Sequence, residues 1–179
     1  PEILQIRRFA DHPDYIAALA ASVRQHWMRE GPPGNPDSYC LVMSFHSVPC
    51  RTIARGDPYH DECRLTARLL AAELDLPADR YRIAFQSYPG YGKWLQPETA
   101  ATLTELGNAG TQRVDIICPG FVSDCLETLE EIAIEGKKTF LQAGGGEFHY
   151  IPCLNERDDW IHALAGMVIA HTAHDRQPS

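Results

Sequence analysis

The stretch Tyr39-Cys-Leu-Val-Met-Ser-Phe45 constrains this chain most. Seven residues without a charge, of strand length and with no polar alternation, describe a strand covered on both faces, the usual state of a strand inside a parallel sheet. Similar runs recur at Tyr81–Ser87 and Arg113–Cys118, with a shorter one at Glu147–Pro152, and Ile3–Phe9 also reads as a strand. Helical patterns separate them. Asp11-His-Pro13 offers a helix start with Pro in the first turn, and Ile16, Leu19, Ala20, Val23 and Trp27 then form one apolar stripe. A second helix spans roughly Asp61 to Leu74, with Leu65, Leu69 and Leu70 inward and Pro77 closing it. A third begins at Pro97 and is ended by Gly107 and Gly110, and a last one runs from Asp158 to about His171 on a face of Trp160, Leu164, Met167 and Val168. Gly31–Pro36, Gly56–Tyr59 and Gly144–Gly146 are loops or turns. Strand and helix in alternation imply one α/β domain over residues 1–179, a mostly parallel sheet flanked by helices on both faces.

Composition excludes several classes. At 179 residues the chain suits one well-packed domain. A formal net charge of −8, without a basic stripe interleaved with aromatics, argues against a nucleic-acid partner. Six scattered cysteines with no C-x-x-C pair read as reduced thiols in a cytoplasmic protein. No apolar run reaches the 18 residues of a membrane span, and no amphipathic basic stretch argues for peripheral membrane contact. The first residue is Pro rather than Met, which reads as part of a longer protein.

Ligands of such sheets sit beyond the carboxyl ends of the strands. Three segments fall there: His46, the loop Tyr88–Trp94, and Pro119–Glu127. Neither G-x-G-x-x-G nor G-x-x-x-x-G-K-S/T accompanies any strand, so a nucleotide site has little support. After Pro119-Gly120, Asp124 and Glu127 form a capping-box-like pair that starts a helix near Ser123 or Asp124. On it Glu127, Glu131 and Glu135 recur at i, i+4 and i+8, a line of like charges that costs a few tenths of a kcal/mol per pair. A solvated acidic face is the plain reading, and crowding of this kind raises carboxylate pKa values. Beside His46 and the flat side chains Tyr59, Tyr88, Tyr91 and Trp94, the acidic line instead suits a divalent first-row metal and a large planar apolar ligand. Cys118, Cys125 and Cys153 read as buried thiols, His149 and His162 as surface or packing residues, and Gly56–Tyr59 as a turn ahead of a helix.

Ser44-Phe-His-Ser-Val-Pro49, Gly56-Asp-Pro-Tyr59, Phe85-Gln-Ser87, Gly92-Lys-Trp-Leu95, Cys118 through Ile132 and Tyr150-Ile-Pro-Cys-Leu-Asn155 together resemble the ferrochelatases. The resemblance implies an enzyme inserting Fe²⁺ into protoporphyrin to form haem, built from two similar Rossmann-like halves, of which this chain resembles the carboxyl-terminal one. It implies His46 and Glu127 as catalytic residues, Glu131 and Glu135 as the continuation of a metal or proton path, and Trp94 at the porphyrin pocket. Tyr88-Pro89 stands where many members carry a basic and an apolar residue, which puts the propionate contacts in question. Some members hold a [2Fe–2S] cluster near the carboxyl terminus, but no cysteine follows Cys153, so no such cluster and no other tightly bound cofactor is expected. The implied partners are porphyrin, Fe²⁺ as substrate, the missing amino-terminal half and, because the product is hydrophobic, a membrane surface in peripheral contact. Competing readings are a chelatase for cobalt, nickel or coproporphyrin iron, and an inactive half-domain that binds porphyrin or metal.

Overall fold

The computed structural model describes residue 3 and residues 5–34, 36–88 and 91–174. Its sheet has four described strands, β1 (Tyr39–His46), β2 (Tyr81–Gln86), β3 (Arg113–Ile117) and β4 (Glu147–Tyr150), all parallel and ordered β2-β1-β3-β4. Every residue of β1 before His46 is buried, as its unbroken apolar run requires. Alternation then sorts its side chains: Tyr39, Leu41, Met43 and Phe45 enter one core, Cys40 and Val42 the other. Fully covering side chains such as Leu41, Val42 and Met43 contributes about 1.5–3 kcal/mol each.

The first core lies under α1 (Pro13–Glu30), α3 (Tyr59–Glu73) and α7 (Asp158–His174). The second lies under α4 (Thr99–Asn108) and a long helical rod made of α5 (Leu126–Leu129), a π-helical segment (Glu131–Gly136) and α6 (Lys137–Gln142). A one-turn helix, α2 (Cys50–Ala54), sits inside the loop after β1. Because the chain crosses from β1 to β2 on one side and returns to β3 on the other, the carboxyl ends of β1 and β3 flank the point where strand order reverses.

Several expectations are corrected. Ile3 and Gln5–Phe9 form no strand, and Leu4 lies outside the described residues. Strand propensity has no edge to serve there: Phe9 packs on Tyr15 and Trp160, with ring centroids 5.2 and 5.8 Å away, and Thr66 Oγ1 donates to the Ala10 carbonyl. The third helix starts at Thr99, not Pro97. Gly107 lies inside it rather than ending it, because a Cβ there would come 2.6 Å from Ala143 Cβ. On α7, Val168 is 51% exposed and Ala163 takes the expected core place; on α3, Leu70 is buried while Leu65 and Leu69 are half-buried. The Gly144–Gly146 turn stands as expected, with a physical reason: a Cβ on Gly145 would meet the Phe140 ring at 2.3 Å, and one on Gly146 the Gln112 carbonyl at 2.3 Å.

Candidate active site at the carboxyl ends of the strands

Gln86 is the hub of this end of the sheet. It is the register partner of His46 and is buried. Its Oε1 accepts from Ser44 Oγ at 2.7 Å, and its Nε2 donates to the backbone carbonyl of Glu127 at 2.7 Å. One buried amide thus joins β1, β2 and the acidic helix, and an amide covered on all sides is stable only with such partners.

His46, half-buried, ends β1. Its Nδ1 lies 2.6 Å from the Ser47 carbonyl. A carbonyl only accepts, so Nδ1 carries the proton of the neutral ring and Nε2 keeps the free lone pair. The Tyr59 hydroxyl donates to the His46 carbonyl at 2.9 Å, and the Phe121 ring lies 6.0 Å from the imidazole.

The acidic helix begins two or three residues later than its sequence pattern suggests. Cys125 is the N-cap and forms a capping box with Thr128, whose hydroxyl accepts from Cys125 N at 3.0 Å. Asp124 is occupied elsewhere. Its carboxylate accepts from the Tyr150 hydroxyl at 2.5 Å, Cys153 N at 3.1 Å and Asn155 Nδ2 at 2.8 Å. Burial pushes its carboxyl up, but those donors outweigh burial and hold it below the ordinary range. The Tyr150–Asn155 block is therefore a clamp that fixes where the acidic helix starts.

The three glutamates differ. Glu127 is half-buried, and its carboxyl is held below the ordinary value by the Cys125 thiol, by its own backbone N–H and, when that ring takes a proton, by attraction to nearby His46. The expected upward push is thus overturned for Glu127, because donors at the helix start outweigh the cost of burial. Glu131 is tied down: its Oε1 accepts from Ser87 N at 2.7 Å and its Oε2 from Ser87 Oγ at 2.5 Å. Ser87 presents both donors from a left-handed conformation, φ 63°, of the kind found at functional sites at a cost of order 1–3 kcal/mol. Glu135 is exposed and pairs with Lys138 at 3.8 Å. Between them Glu135 N bonds to the Glu130 carbonyl at 2.9 Å, the i→i+5 bond of a π turn, a feature frequent at functional sites. The solvated-face reading holds for Glu135 and fails for the other two.

Among the aromatics, Tyr88 and Trp94 stand edge-on, 6.3 Å apart, with the Tyr88 hydroxyl on the Leu95 carbonyl at 2.6 Å. They line an open pocket with Cys50, Lys93 and Glu98, and Trp94 Nε1 has no partner there. Tyr91 is fully exposed and stands clear of the pair. Tyr59 sits behind His46, lining a second pocket with Tyr15, Phe45 and Pro119. Pro89 and Gly90 lie outside the described residues.

A family model described as Ferrochelatase matches residues 1–172. The chain belongs to the ferrochelatase family. It is 60% identical over 168 residues to a ferrochelatase of Aromatoleum aromaticum, 59% over 168 residues to one of Chromobacterium violaceum and 56% over 171 residues to one of Nitrosomonas europaea. Those alignments cover 94%, 94% and 96% of this chain but 45%, 45% and 46% of the relatives. The chain therefore spans somewhat under half the length of these ferrochelatases.

In this ferrochelatase-family chain, sequence reasoning names His46 and Glu127 and misses the groups that place them. Gln86, Ser87 and Thr128 stood inside matched blocks without a role; a polar residue closing a buried run, as Gln86 does after Ala84-Phe85, is the signal that would have found the first. Burial pushes the Cys153 thiol up to about 12 and the Cys118 thiol well above its usual value, and both are buried as expected, whereas Cys125, at the N-cap, is only half-buried. No described helix is long and apolar enough to cross a membrane.

Proposed function

We propose that this chain is the carboxyl-terminal half of a cytoplasmic ferrochelatase, which inserts Fe²⁺ into protoporphyrin IX and releases two pyrrole protons. Family membership over nearly the whole chain and the names of its relatives support the reading. The single observation that carries the chemistry is the tautomer of His46: with Nδ1 committed to the Ser47 carbonyl, Nε2 is the free base beside an ionised Glu127. Proton balance follows from these groups. One pyrrole N–H gives its proton to Nε2, the imidazolium is stabilised by the Glu127 carboxylate, and the proton leaves outward past Glu131 and Glu135; the second follows as Fe²⁺ binds all four nitrogens. A neutral imidazole with one free ring nitrogen can take a proton there and hand it on. Carboxylate oxygens at Glu127 and Glu131 replace waters on the incoming ion, with Ser87 keeping the second carboxylate aimed.

The aromatic residues serve as one wall for the macrocycle. Trp94 and Tyr88 form its fixed part, and their packing supports bending the flat ring at about 1–5 kcal/mol of strain. Tyr91, fully exposed, is left available to the porphyrin rather than built into that wall. The half-domain reading has this in its favour: the chain by itself offers an open pocket, so alone it binds porphyrin without turning it over. Six unpaired thiols suit the reducing cytoplasm.

The test is an insertion assay on the protein carrying both halves, with Fe²⁺, Zn²⁺ and Co²⁺ against protoporphyrin and coproporphyrin. Preferred turnover of Fe²⁺ with protoporphyrin is the expected result. Preference for coproporphyrin, or for cobalt over iron, would replace it with a neighbouring chelatase activity.

A further inference from the structure

Lower on the sheet, and on its other face, lies a second set of metal-binding side chains. Asp115 of β3 and His149 of β4 are register partners, so their side chains leave the sheet on the same side. That side carries α1, and His26 of α1 comes down onto them. One ligand atom from each of the three lies within 4.8 Å of the others. The register Leu41↔Asp115 sets this cluster five residues below His46 on the neighbouring strand, about 16 Å along the sheet at 3.3 Å per residue.

The cluster is built rather than accidental. Asp115 and His26 have side chains 0% and 5% exposed. Nε2 of His26 is buried and has no hydrogen-bond partner; it points toward Asp115 Oδ1 at 3.7 Å, beyond hydrogen-bond length. An orphaned imidazole nitrogen in a dry interior costs free energy, and an ion there would remove the cost. Asp115 is held in place by Trp27 Nε1 on Oδ2 at 2.8 Å, Tyr39 Oη on Oδ2 at 3.2 Å, Arg113 Nε on Oδ1 at 2.8 Å and the Arg113 terminal nitrogen on Oδ2 at 3.2 Å. These contacts fill Oδ2 and leave one acceptor site on Oδ1, the oxygen that faces His26. His149 is 22% exposed on the edge strand, which gives an ion a way in, and its Nε2 lies 3.4 Å from Glu147 Oε2, a carboxylate placed to orient the ring or to supply a fourth ligand.

We propose that His26, Asp115 and His149 form a binding site for a first-row divalent cation of the Zn²⁺ and Co²⁺ class, separate from the His46–Glu127 site. Two imidazoles and one carboxylate are the donor set such ions favour over Mg²⁺ or Ca²⁺. Tetrahedral bonds of about 2.0–2.1 Å put ligand atoms about 3.3 Å apart, so small rotations of the three side chains close the observed spacing around an ion. Arg113 fixes the carboxylate but draws charge from it, which makes the site one of modest affinity. Bound there, the ion ties α1 to β3 and β4 and stabilises the fold by linkage.

The deciding experiment removes the catalytic site first. In the His46→Ala/Glu127→Gln protein, stripped with EDTA, Co²⁺ is titrated while its visible ligand-field bands and the thermal midpoint are followed. One Co²⁺ per chain is expected, with tetrahedral-type absorption and a raised midpoint. Adding His149→Ala, at the partly exposed position, or His26→Gln, close in volume, weakens binding at least tenfold and removes the bands. No Co²⁺ binding in the catalytic-site variant, or unchanged binding after His149→Ala, overturns the proposal.

Discussion

His46 with Glu127 and His26 with Asp115 both pair an imidazole with a carboxylate, the first at the carboxyl ends of the strands and the second in mid-sheet under α1, and the chain treats them differently. At the carboxyl ends the pair is half-buried, its backbone is held by Gln86 and Tyr59, Nε2 is left open, and the Glu127 carboxylate meets only donors of its own helix start. Under α1 the carboxylate is wholly covered and pinned by Trp27, Tyr39 and Arg113, with one acceptor site on Oδ1 left toward His26. An open pair can exchange protons and ions with what approaches it, whereas a covered one can only hold. In the first the polar network fixes the backbone and spares the reacting atoms; in the second it fixes the carboxylate itself. That contrast predicts that substitutions at the strand ends change chemistry with little loss of stability, and that those under α1 do the reverse.

The largest expected effect on stability is at Asp115. Asp115→Ala leaves Arg113 charged and covered without its partner, which costs about 3–5 kcal/mol. Burial pushes the Asp115 carboxyl up, but His26, Arg113 and Trp27 around it outweigh burial and hold it below its ordinary value. With the folded value depressed, its stabilisation is complete above the unfolded pKa of about 3.9 and is lost as pH falls through the lower folded value. Urea unfolding should show the full deficit of the variant at pH 7 and a shrinking one in acid below that range; a constant deficit would break the assignment.

Asp124→Asn comes next, because the amide cannot accept from Tyr150, Cys153 and Asn155 together. The expected loss is about 1–3 kcal/mol, read as a lower thermal midpoint, together with weaker insertion activity as the start of α5 loosens. The smallest effect is at Cys125. Cys125→Ala removes the first cause that lowers the Glu127 carboxyl, so the acid limb of the activity profile should move to higher pH, and Cys125→Ser should move it back. An unmoved limb in the alanine variant would separate Glu127 from that limb.

How much of this was legible in the chain depended on whether the cause was local. The runs at Tyr39–Phe45 and Arg113–Cys118 announce covered strands by composition alone, and both are strands. Ile3–Phe9 reads the same way, yet Ile3 and Gln5–Phe9 form no strand, and Phe9 packs on Tyr15 and Trp160 instead. Asp124 looked like an N-cap because nothing nearby in sequence shows that Tyr150 and Asn155, 26 and 31 residues on, take its carboxylate. The π turn was invisible for a like reason: Gly136 sits where a Cβ would be 3.2 Å from Leu103 of α4, a packing condition no helical periodicity records. His26, Asp115 and His149 meet only through the β3–β4 register, so a reading that took His149 for a surface or packing residue could not have found them.

The account stands on the open pair at the strand ends, and one measurement tests it most directly. Iron insertion into protoporphyrin by the protein carrying both halves should fall by at least about 100-fold in His46→Ala and in Glu127→Gln, the usual share of a positioned acid or base, while the thermal midpoint stays near that of the parent. Turnover near the parent value in both variants would contradict the account.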